Sequence, residues 1–183
     1  LGYSFPHVIG ASLKEDYDKI KWSDDNRTFK AWTKGETGFP VVDACMKQLN
    51  TTGYMHNRGR LIVASFLVKN LLHDWRKGEK YFATKLVDYD PLVNNGNWQW
   101  VAGTGADSQP YFRIFNPWTQ GKKFDKDCKY IKKWIPELKN IPNKEIHEWD
   151  ANHHKYKDVY IGPIIDYKSS RTKTLNAYKK ALN

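Results

Sequence analysis

One run of apolar residues limits the folds open to this sequence more than any other feature. The run RLIVASFLVKNLLHDW, residues 60–75, is apolar on nearly every side when it is drawn as a helix. A helix that is hydrophobic all round is buried, because none of its faces suits water. The run therefore predicts a central helix surrounded by other elements, and Gly78 is expected to end it.

A second helix is predicted before the central one. Residues 41–49, VVDACMKQL, carry their apolar side chains on one stripe at helical spacing. Pro40 suits the first turn of a helix, because its missing N–H would have no partner there. Gly53 is expected to end this helix, since glycine adopts the left-handed conformation at little cost.

The rest of the chain predicts three more helices separated by loops. The helical patterns cover residues 78–87, 127–134 and 169–182. Pro91 is expected to end whatever follows the first of them. No period-two run lasts beyond four or five residues, so strands are not predicted and the fold class is all-α. Long loops are expected around 94–124 and 140–166, and loops of more than about 15 residues usually serve a site.

Composition narrows the class of partner and compartment. The 183 residues suit one domain, and 30 Lys and Arg against 20 Asp and Glu give a net charge of +10. This excess favours a polyanionic partner, nucleic acid before an anionic membrane. Cys45 and Cys128 lack metal or disulfide-framework spacing, which fits a reducing compartment. No apolar run approaches about 18 residues and no signal peptide is recognisable, so an intracellular protein without a membrane span is expected.

The segment TGYMHNRGR, residues 52–60, places three polar or cationic side chains at the start of the central helix. They are Asn57, Arg58 and Arg60. Arginine has a planar fork that suits phosphates and carboxylates, and a half-buried arginine must be paired. The alternative is a helix N-terminus with exposed arginines.

The segment LVDYDPLVNNGNWQW, residues 86–100, combines two carboxylates with amides and tryptophans. No His or Cys lies at ligand spacing, so a metal site is not predicted. We expect Asp88 to pair with an arginine, and Asp90 and Asn94 to bond a polar ring; a helix N-cap is the alternative for the carboxylates. Trp98 and Trp100 would point roughly apart on a helix.

The segment PYFRIFNPWTQGKKFD, residues 110–125, interleaves aromatic side chains with Arg113, Lys122 and Lys123. Bases stack on aromatic rings while cations hold phosphate, so the segment predicts a platform for single-stranded or flipped nucleotides. Core aromatics beside solvated lysines remain the alternative. The sequence has no Gly-rich phosphate loop, nucleophile elbow or His-Glu metal helix, which leaves hydrolysis without support.

These motifs together resemble a known family. TGFPVVDACMKQLNTTGYMHNRGRLIVASFLVKNLLHDW, DYDPLVNNGNWQW and PYFRIFNPWTQGKKFD are similar, in this order, to the flavin domain of DNA photolyases and cryptochromes. The resemblance covers residues 22–181, and MHNR is most like class I cyclobutane pyrimidine dimer photolyases. It implies the all-α FAD-binding domain, FAD as cofactor, and light-driven repair of DNA that contains pyrimidine dimers. Such enzymes flip their target out of the duplex.

The resemblance also implies roles for individual residues. Asn94 resembles the residue beside flavin N5, Arg60 and Asp88 resemble an ion pair on the ring, and Asp90 resembles a residue at its polar edge. Tyr54 and Asn57 resemble residues against the flavin. An electron relay to the flavin is implied for Trp98, Trp75 and Trp22. Contacts to DNA or its lesion are implied for Asn57, Arg58, Leu61, Trp100, Arg113, Lys122 and Lys123.

The resemblance implies one partial domain over residues 1–183, the C-terminal portion of the family's flavin domain. The antenna domain, the FAD-phosphate loop and the first dimer-contacting helix of the family have no counterpart in this sequence. We therefore expect either a cut-down enzyme or one whose remaining half comes from a separate chain. A cryptochrome-like light sensor or DNA-binding module without repair is the alternative, and a decayed fragment that folds poorly is a third.

Overall fold

The computed structural model describes residues 10–105, 108 and 110–182, and all regular elements in these ranges are helical. The all-α prediction is therefore confirmed. The α-helices are α1 (Asn26–Lys34), α2 (Pro40–Thr52), α3 (Asn57–Ser65), α4 (Trp75–Lys85), α5 (Pro91–Ala102), α6 (Pro117–Phe124), α7 (Lys129–Trp134), α8 (Asn143–His147), α9 (Trp149–Asn152) and α10 (Tyr167–Leu182). Short 3₁₀ turns lie at Glu15–Lys19, Pro136–Leu138 and His153–Tyr156.

Helix α3 is the predicted central element, and it continues into a π-helical turn over Phe66–Asn70. Every residue from 62 to 70 is buried, as an apolar run requires. The run leaves the helix at Asn70 rather than at Trp75, because Leu72 takes a left-handed conformation with φ 56°. Gly78 consequently lies inside α4, and the prediction that it ends the central helix is wrong.

Helix α2 follows its sequence signals closely. Pro40 occupies the first turn, and Gly53 ends the helix in the left-handed conformation with φ 71°. The buried Asp43 side chain accepts hydrogen bonds from the backbone N–H groups of Thr37 and Gly38, which secures the loop before the helix. This helix packs on α1, α3, α6 and α7 and so forms a second central layer.

The two segments expected as loops contain helices. Pro91 begins α5 instead of ending an element, because Asp90 caps this helix and proline is well placed in a first turn. Segment 94–124 thus holds most of α5 and all of α6, and segment 140–166 holds α8, α9 and a 3₁₀ turn. Three amides of this segment, Asn94, Asn95 and Gln99, are buried on α5, and the Gln99 side chain accepts a hydrogen bond from Leu13 N.

Aromatic side chains link the helices around the core. Trp32 of α1 is fully buried, and its ring lies 6.2 Å from the Trp98 ring of α5 and 6.2 Å from the Phe82 ring of α4. Offset and edge-to-face contacts of this kind stabilise aromatic clusters beyond their buried area. Across the described ranges, no helix combines the length and apolarity that crossing a membrane would take.

Candidate functional site

A cavity that opens to solvent lies between α3, α4 and α5. Its most buried lining is mainly apolar and forms a floor, and its more exposed lining is mainly polar and forms a rim of amides, carboxylates and a guanidinium. The floor is formed by Ala64, Phe82, Leu86, Trp98 and Val101, and the polar rim by Asn57, Arg60, Asp88, Asp90, Asn94 and Asn97. Apolar walls with a few converging polar groups are the usual make-up of a small-molecule site.

Arg60 and Asp88 form an ion pair at the rim through one guanidinium nitrogen. Arg60 Nη2 donates to both carboxylate oxygens of Asp88, at 3.0 and 2.8 Å, and its Nε donates to Met55 O at 2.7 Å. The expected pairing of Asp88 with an arginine is therefore observed. An ion pair exposed to this degree adds little stability, so its main effect is to orient both groups toward the cavity.

The orientation of the Asn94 amide follows from its partner, Glu79 of α4. Asn94 Nδ2 donates to Glu79 Oε1 at 3.0 Å and to Glu79 O at 3.2 Å. Both of these oxygens are acceptors, so they require the NH₂ side of the amide. The carbonyl oxygen of Asn94 is thereby left as the acceptor that a bound ligand can use. Sequence reasoning missed Glu79, because nothing in its local pattern sets it apart from other helix-surface carboxylates.

Glu79 also contacts a second side chain of the cavity wall. Tyr89 donates from its hydroxyl to Glu79 Oε1 at 3.2 Å. Burial first, and then the Glu79 carboxylate, raise the pKa of Tyr89, so the phenol stays protonated and keeps donating. One carboxylate thus orients two cavity residues from adjacent elements.

Asp90 and Asn57 sit at helix N-termini on the rim. Asp90 Oδ1 accepts from Leu92 N and Val93 N, both at 2.9 Å, so the N-cap alternative describes its hydrogen bonds. Its contact with a ring edge stays a prediction. Asn57 is the first residue of α3, where His56 forms the cap. Leu61, one turn further, is half-buried and also lines the cavity.

Of the three tryptophans predicted to relay electrons, Trp98 lines the cavity floor and is 2% exposed. Trp75 is fully buried, and its indole Nε1 finds no acceptor in the part of the chain that the structure describes. Trp22 is half-buried, with its ring 6.2 Å from that of Tyr178. The rings that contact Trp98 are those of Phe82, at 5.0 Å, and Trp32, at 6.2 Å, neither of which was predicted to belong to the site. The relay itself stays a prediction.

Cationic side chains predicted to hold DNA converge on one exposed ring. The Arg58 guanidinium lies 4.7 Å from the centroid of Phe124, and Lys123 Nζ lies 5.3 Å from it. Phe124 is 48% exposed. Residues from α3 and α6 that are far apart in sequence are therefore adjacent in space, next to the cavity rim at Asn57.

The other predicted DNA contacts lie outside the cavity wall. Lys122 is exposed beside Lys123, and Arg113 is exposed in the turn that follows Pro110. Trp100 is half-buried on α5. Tyr54, which was predicted to lie against the flavin, is also outside the cavity wall; it is 47% exposed, and its ring centroid lies 5.8 Å from Cζ of Arg60. In the ranges described, no three His, Cys, Asp or Glu side chains are grouped so as to hold a metal ion.

Comparison with known proteins gives consistent results. The family described as the FAD binding domain of DNA photolyase matches residues 1–180. A deoxyribodipyrimidine photo-lyase of Salmonella typhimurium is 54% identical over 166 residues, which are 89% of this chain and 35% of that protein. A crystal structure of a bacterial class III photolyase from Agrobacterium tumefaciens superposes with a TM-score of 0.93 at 47% identity, covering 99% of this chain and 39% of that one.

A cryptochrome is also similar. The Synechocystis sp. PCC6803 cryptochrome structure superposes with a TM-score of 0.87 at 35% identity, covering 96% of this chain and 38% of that one. The chain thus spans little more than a third of the length of these relatives. The family match, by contrast, extends over nearly all of the chain, and the predicted family and its cofactor, FAD, are confirmed at this level. The chain belongs to the family of photolyase FAD-binding domains.

Proposed function

We propose that this chain supplies the flavin-binding part of a DNA photolyase that repairs cyclobutane pyrimidine dimers with light and FAD. The observation that carries the proposal is the cavity with a buried apolar floor and an oriented polar rim. An isoalloxazine ring has a hydrocarbon end and a hydrogen-bonding end, so it can use both kinds of lining. Family membership adds independent support.

Rim residues would hold and orient the flavin ring. Asn94 offers a carbonyl oxygen, fixed by Glu79, that accepts a hydrogen bond from a ring N–H. Such an N–H is present when the ring is reduced, so the acceptor favours the reduced form of the cofactor. Arg60, aligned by Asp88 and Met55, brings positive charge to the same rim and stabilises negative charge on the ring. When bound, reduced FAD supplies the light-driven electron that splits the dimer.

Tryptophans of this chain would connect the cavity to the surface. Trp98 forms the floor and Trp22 is half-buried, which suits the inner and outer ends of a relay, with the buried Trp75 between them in the proposed order. The indole N–H of Trp75 has no hydrogen-bond acceptor among the described residues, and the Arg76 guanidinium lies 4.9 Å from its ring.

Cations beside the cavity would hold the DNA strand on either side of a flipped dimer. Arg58 and Lys123 share the Phe124 ring next to the rim, and Lys122 extends this positive surface along α6. Phosphate contacts of this kind position nucleic acid without reading its sequence. Trp100 and Leu61 would contact the lesion itself, and Arg113 the neighbouring backbone.

We further propose that residues 1–183 form a portion of one helical domain, which acts together with the remaining two thirds of such a protein. That remainder is either joined to this sequence or supplied as a separate chain. Because its substrate is DNA, the protein would work inside the cell. The proposal includes the dimer specificity of class I photolyases, because the MHNR segment is most like theirs. The solved class III photolyase has a similar fold, so the fold alone does not distinguish the classes.

The first test is flavin binding followed by repair. FAD is titrated into the wild-type chain, alone and with the complementary part of a relative, and the structured absorption bands of a bound ring are recorded. Asn94→Ala should weaken binding, whereas Asn140→Ala, at an exposed site away from the cavity, should not. The complemented protein should then split a dimer in an oligonucleotide under blue light. If the ring is bound by neither preparation, the proposal fails.

A cryptochrome-like photoreceptor without repair is the second candidate, favoured by the similarity to the Synechocystis protein. Both candidates require the flavin site, so flavin binding does not separate them. A repair assay does separate them. A photoreceptor would bind flavin and undergo photoreduction in the complemented protein, but it would leave the dimer intact even when its flavin had been chemically reduced beforehand.

A further inference from the structure

A fully buried lysine lies away from the cavity and has no assigned role. Lys69 is 0% exposed and is part of the π-helical turn. Its ammonium group donates to Tyr111 O at 3.0 Å and lies 4.1 Å from the ring centroid of Tyr178 on α10. No carboxylate in the described ranges forms an ion pair with it. Burying a lysine without an acidic partner costs folding free energy, so the position of Lys69 requires a physical explanation.

Tyr111, the hydrogen-bond partner of Lys69, is held in place by two contacts. The Tyr111 backbone accepts the Lys69 hydrogen bond, and the Tyr111 ring stacks on Tyr178 at 6.0 Å with an interplanar angle of 12°. Lys69 and Tyr178 are themselves in cation–π contact. Lys69, Tyr111 and Tyr178 therefore contact one another, although they come from three separate parts of the chain. Tyr111, which both of the others contact, belongs to an irregular segment.

The segment that Tyr111 begins presents two side chains to solvent. Phe112 is 59% exposed, although its ring edge contacts Tyr111 at 5.7 Å, and Arg113 is exposed next to it. A large exposed aromatic beside a cation is the pairing that stacks on bases and holds phosphate. A solvent-facing turn of this kind has few contacts of its own to keep it in place.

We propose that Lys69 is a positioning residue, which fixes the backbone of residues 110–113 through Tyr111 and so presents Phe112 and Arg113 to DNA. The inference rests on the proposed function, since it takes DNA as the ligand of this face. Lys69 would touch neither DNA nor flavin. Its contribution to binding passes entirely through Tyr111, so it cannot exceed what Phe112 and Arg113 contribute together.

Protonation gives the proposal a second readout. Burial lowers the pKa of Lys69 to about 7, so the ammonium form, and with it the attraction to the Tyr178 ring, weakens as pH rises above that value. The other titratable groups around this cluster are Tyr17, Tyr111, Tyr178 and Asp74. Burial raises the pKa of Tyr17 and Tyr178. Loss of the charge also weakens the hydrogen bond to Tyr111 O, because a charged donor bonds more strongly than a neutral amine. The DNA affinity of the wild-type chain should therefore decline between pH 6.5 and 8.5 through Lys69.

The test is a double-mutant cycle on DNA binding. A fluorescent oligonucleotide is titrated with the wild-type chain, Lys69→Met, the pair Phe112→Ala with Arg113→Ala, and the combination of all three. Lys69→Met should weaken binding about five- to tenfold, the lower range for loss of one stacked aromatic. It should have almost no further effect when Phe112 and Arg113 are already alanine, because its contribution passes through them.

Two controls separate positioning from general loss of stability. Leu138→Ala removes a fully buried side chain in a different part of the core, so it should destabilise the chain yet leave DNA affinity unchanged. In Lys69→Met the Arg113 amide, which donates to Pro110 O at 2.9 Å, should exchange its hydrogen faster, and the pH dependence of affinity should flatten.

The outcomes are distinct. If the wild-type chain binds no DNA, the proposed function and this inference fall together. If the wild-type chain binds and Lys69→Met binds equally well, or weakens binding to the same degree with and without Phe112 and Arg113, this inference alone is overturned.

Discussion

Gly78 offers a sharp test of how tightly the cavity floor is built. It lies within α4, against the Trp98 ring. A Cβ atom at this position would lie 2.2 Å from Trp98 Cη2, 2.5 Å from Cζ3 and 2.6 Å from Leu67 Cδ2. Carbon atoms in van der Waals contact are about 3.5–4.0 Å apart. The Gly78→Ala substitution therefore requires the indole, which is buried against Trp32 and Phe82, to move by more than about 1 Å.

Two opposing effects set the magnitude. Alanine in a helix interior is favoured over glycine by about 0.5–1 kcal/mol. Overpacking of a dense core costs about 1–3 kcal/mol, and the upper end applies here because three contacts fall below 3 Å. The net expectation is a loss of about 1–2 kcal/mol in the free energy of unfolding. For a chain of this length that lowers the melting temperature by about 2–8 °C.

Gly96 is the matched control, since it is a glycine inside the neighbouring helix α5. A Cβ atom built there meets nothing within 4 Å, so Gly96→Ala should keep the propensity gain and raise the melting temperature by about 1–4 °C. Urea unfolding followed by circular dichroism gives both free energies. A Gly78→Ala chain as stable as Gly96→Ala would refute the packing argument, and with it the rigid placement of Trp98.

Three further predictions concern other residues of the site and core. Glu79→Leu frees the Asn94 amide to turn and should weaken flavin binding about tenfold, the value of one hydrogen bond to a charged group; Glu148→Leu, at an exposed site, is the control in the same FAD absorption titration. Lys69 has a folded pKa of about 7 and an unfolded value near 10.4, so the unfolded chain binds more protons between them and stability rises with pH. The free energy of unfolding of wild type minus Lys69→Met should thus rise by about 2–3 kcal/mol from pH 7 to 9 in melts, and a flat difference would show that the lysine keeps its proton. Trp75→Phe should block flavin photoreduction in the complemented protein while sparing repair by pre-reduced enzyme, and joint loss would indicate misfolding instead.

Sequence patterns predicted those parts of the fold that local chemistry decides. The start of α2 at Pro40 and its end at Gly53 follow from the conformations these two residues prefer, and α10 follows from its periodicity. The end of the central helix could not be predicted in this way, because the left-handed conformation of Leu72 depends on packing that no local propensity encodes. Pro91 was misread for a related reason: a proline can end one helix or begin another, and Asp90 decides which.

The candidate site likewise contains residues that the sequence predicted and residues that it did not. The pairing of Asp88 with an arginine was expected because a half-buried arginine must be paired, and the family resemblance named Arg60 as the partner. Glu79 and Trp32 were not expected in the site, since their importance comes from tertiary contacts with Asn94 and Trp98 across helices. Residues that orient others leave little trace in a single sequence, whereas residues that offer unusual chemistry stand out.

The shared ring of Phe124 has a consequence for how this face responds to ionic strength. Arg58 and Lys123 lie over the same centroid, so their charges are no more than about 10 Å apart, close to one screening length at physiological salt. They repel each other in the free protein, and added salt relieves that repulsion. A bound polyanion relieves it too, and added salt weakens that attraction. The same two side chains should therefore make the free protein locally more stable in salt while making its complex with DNA weaker.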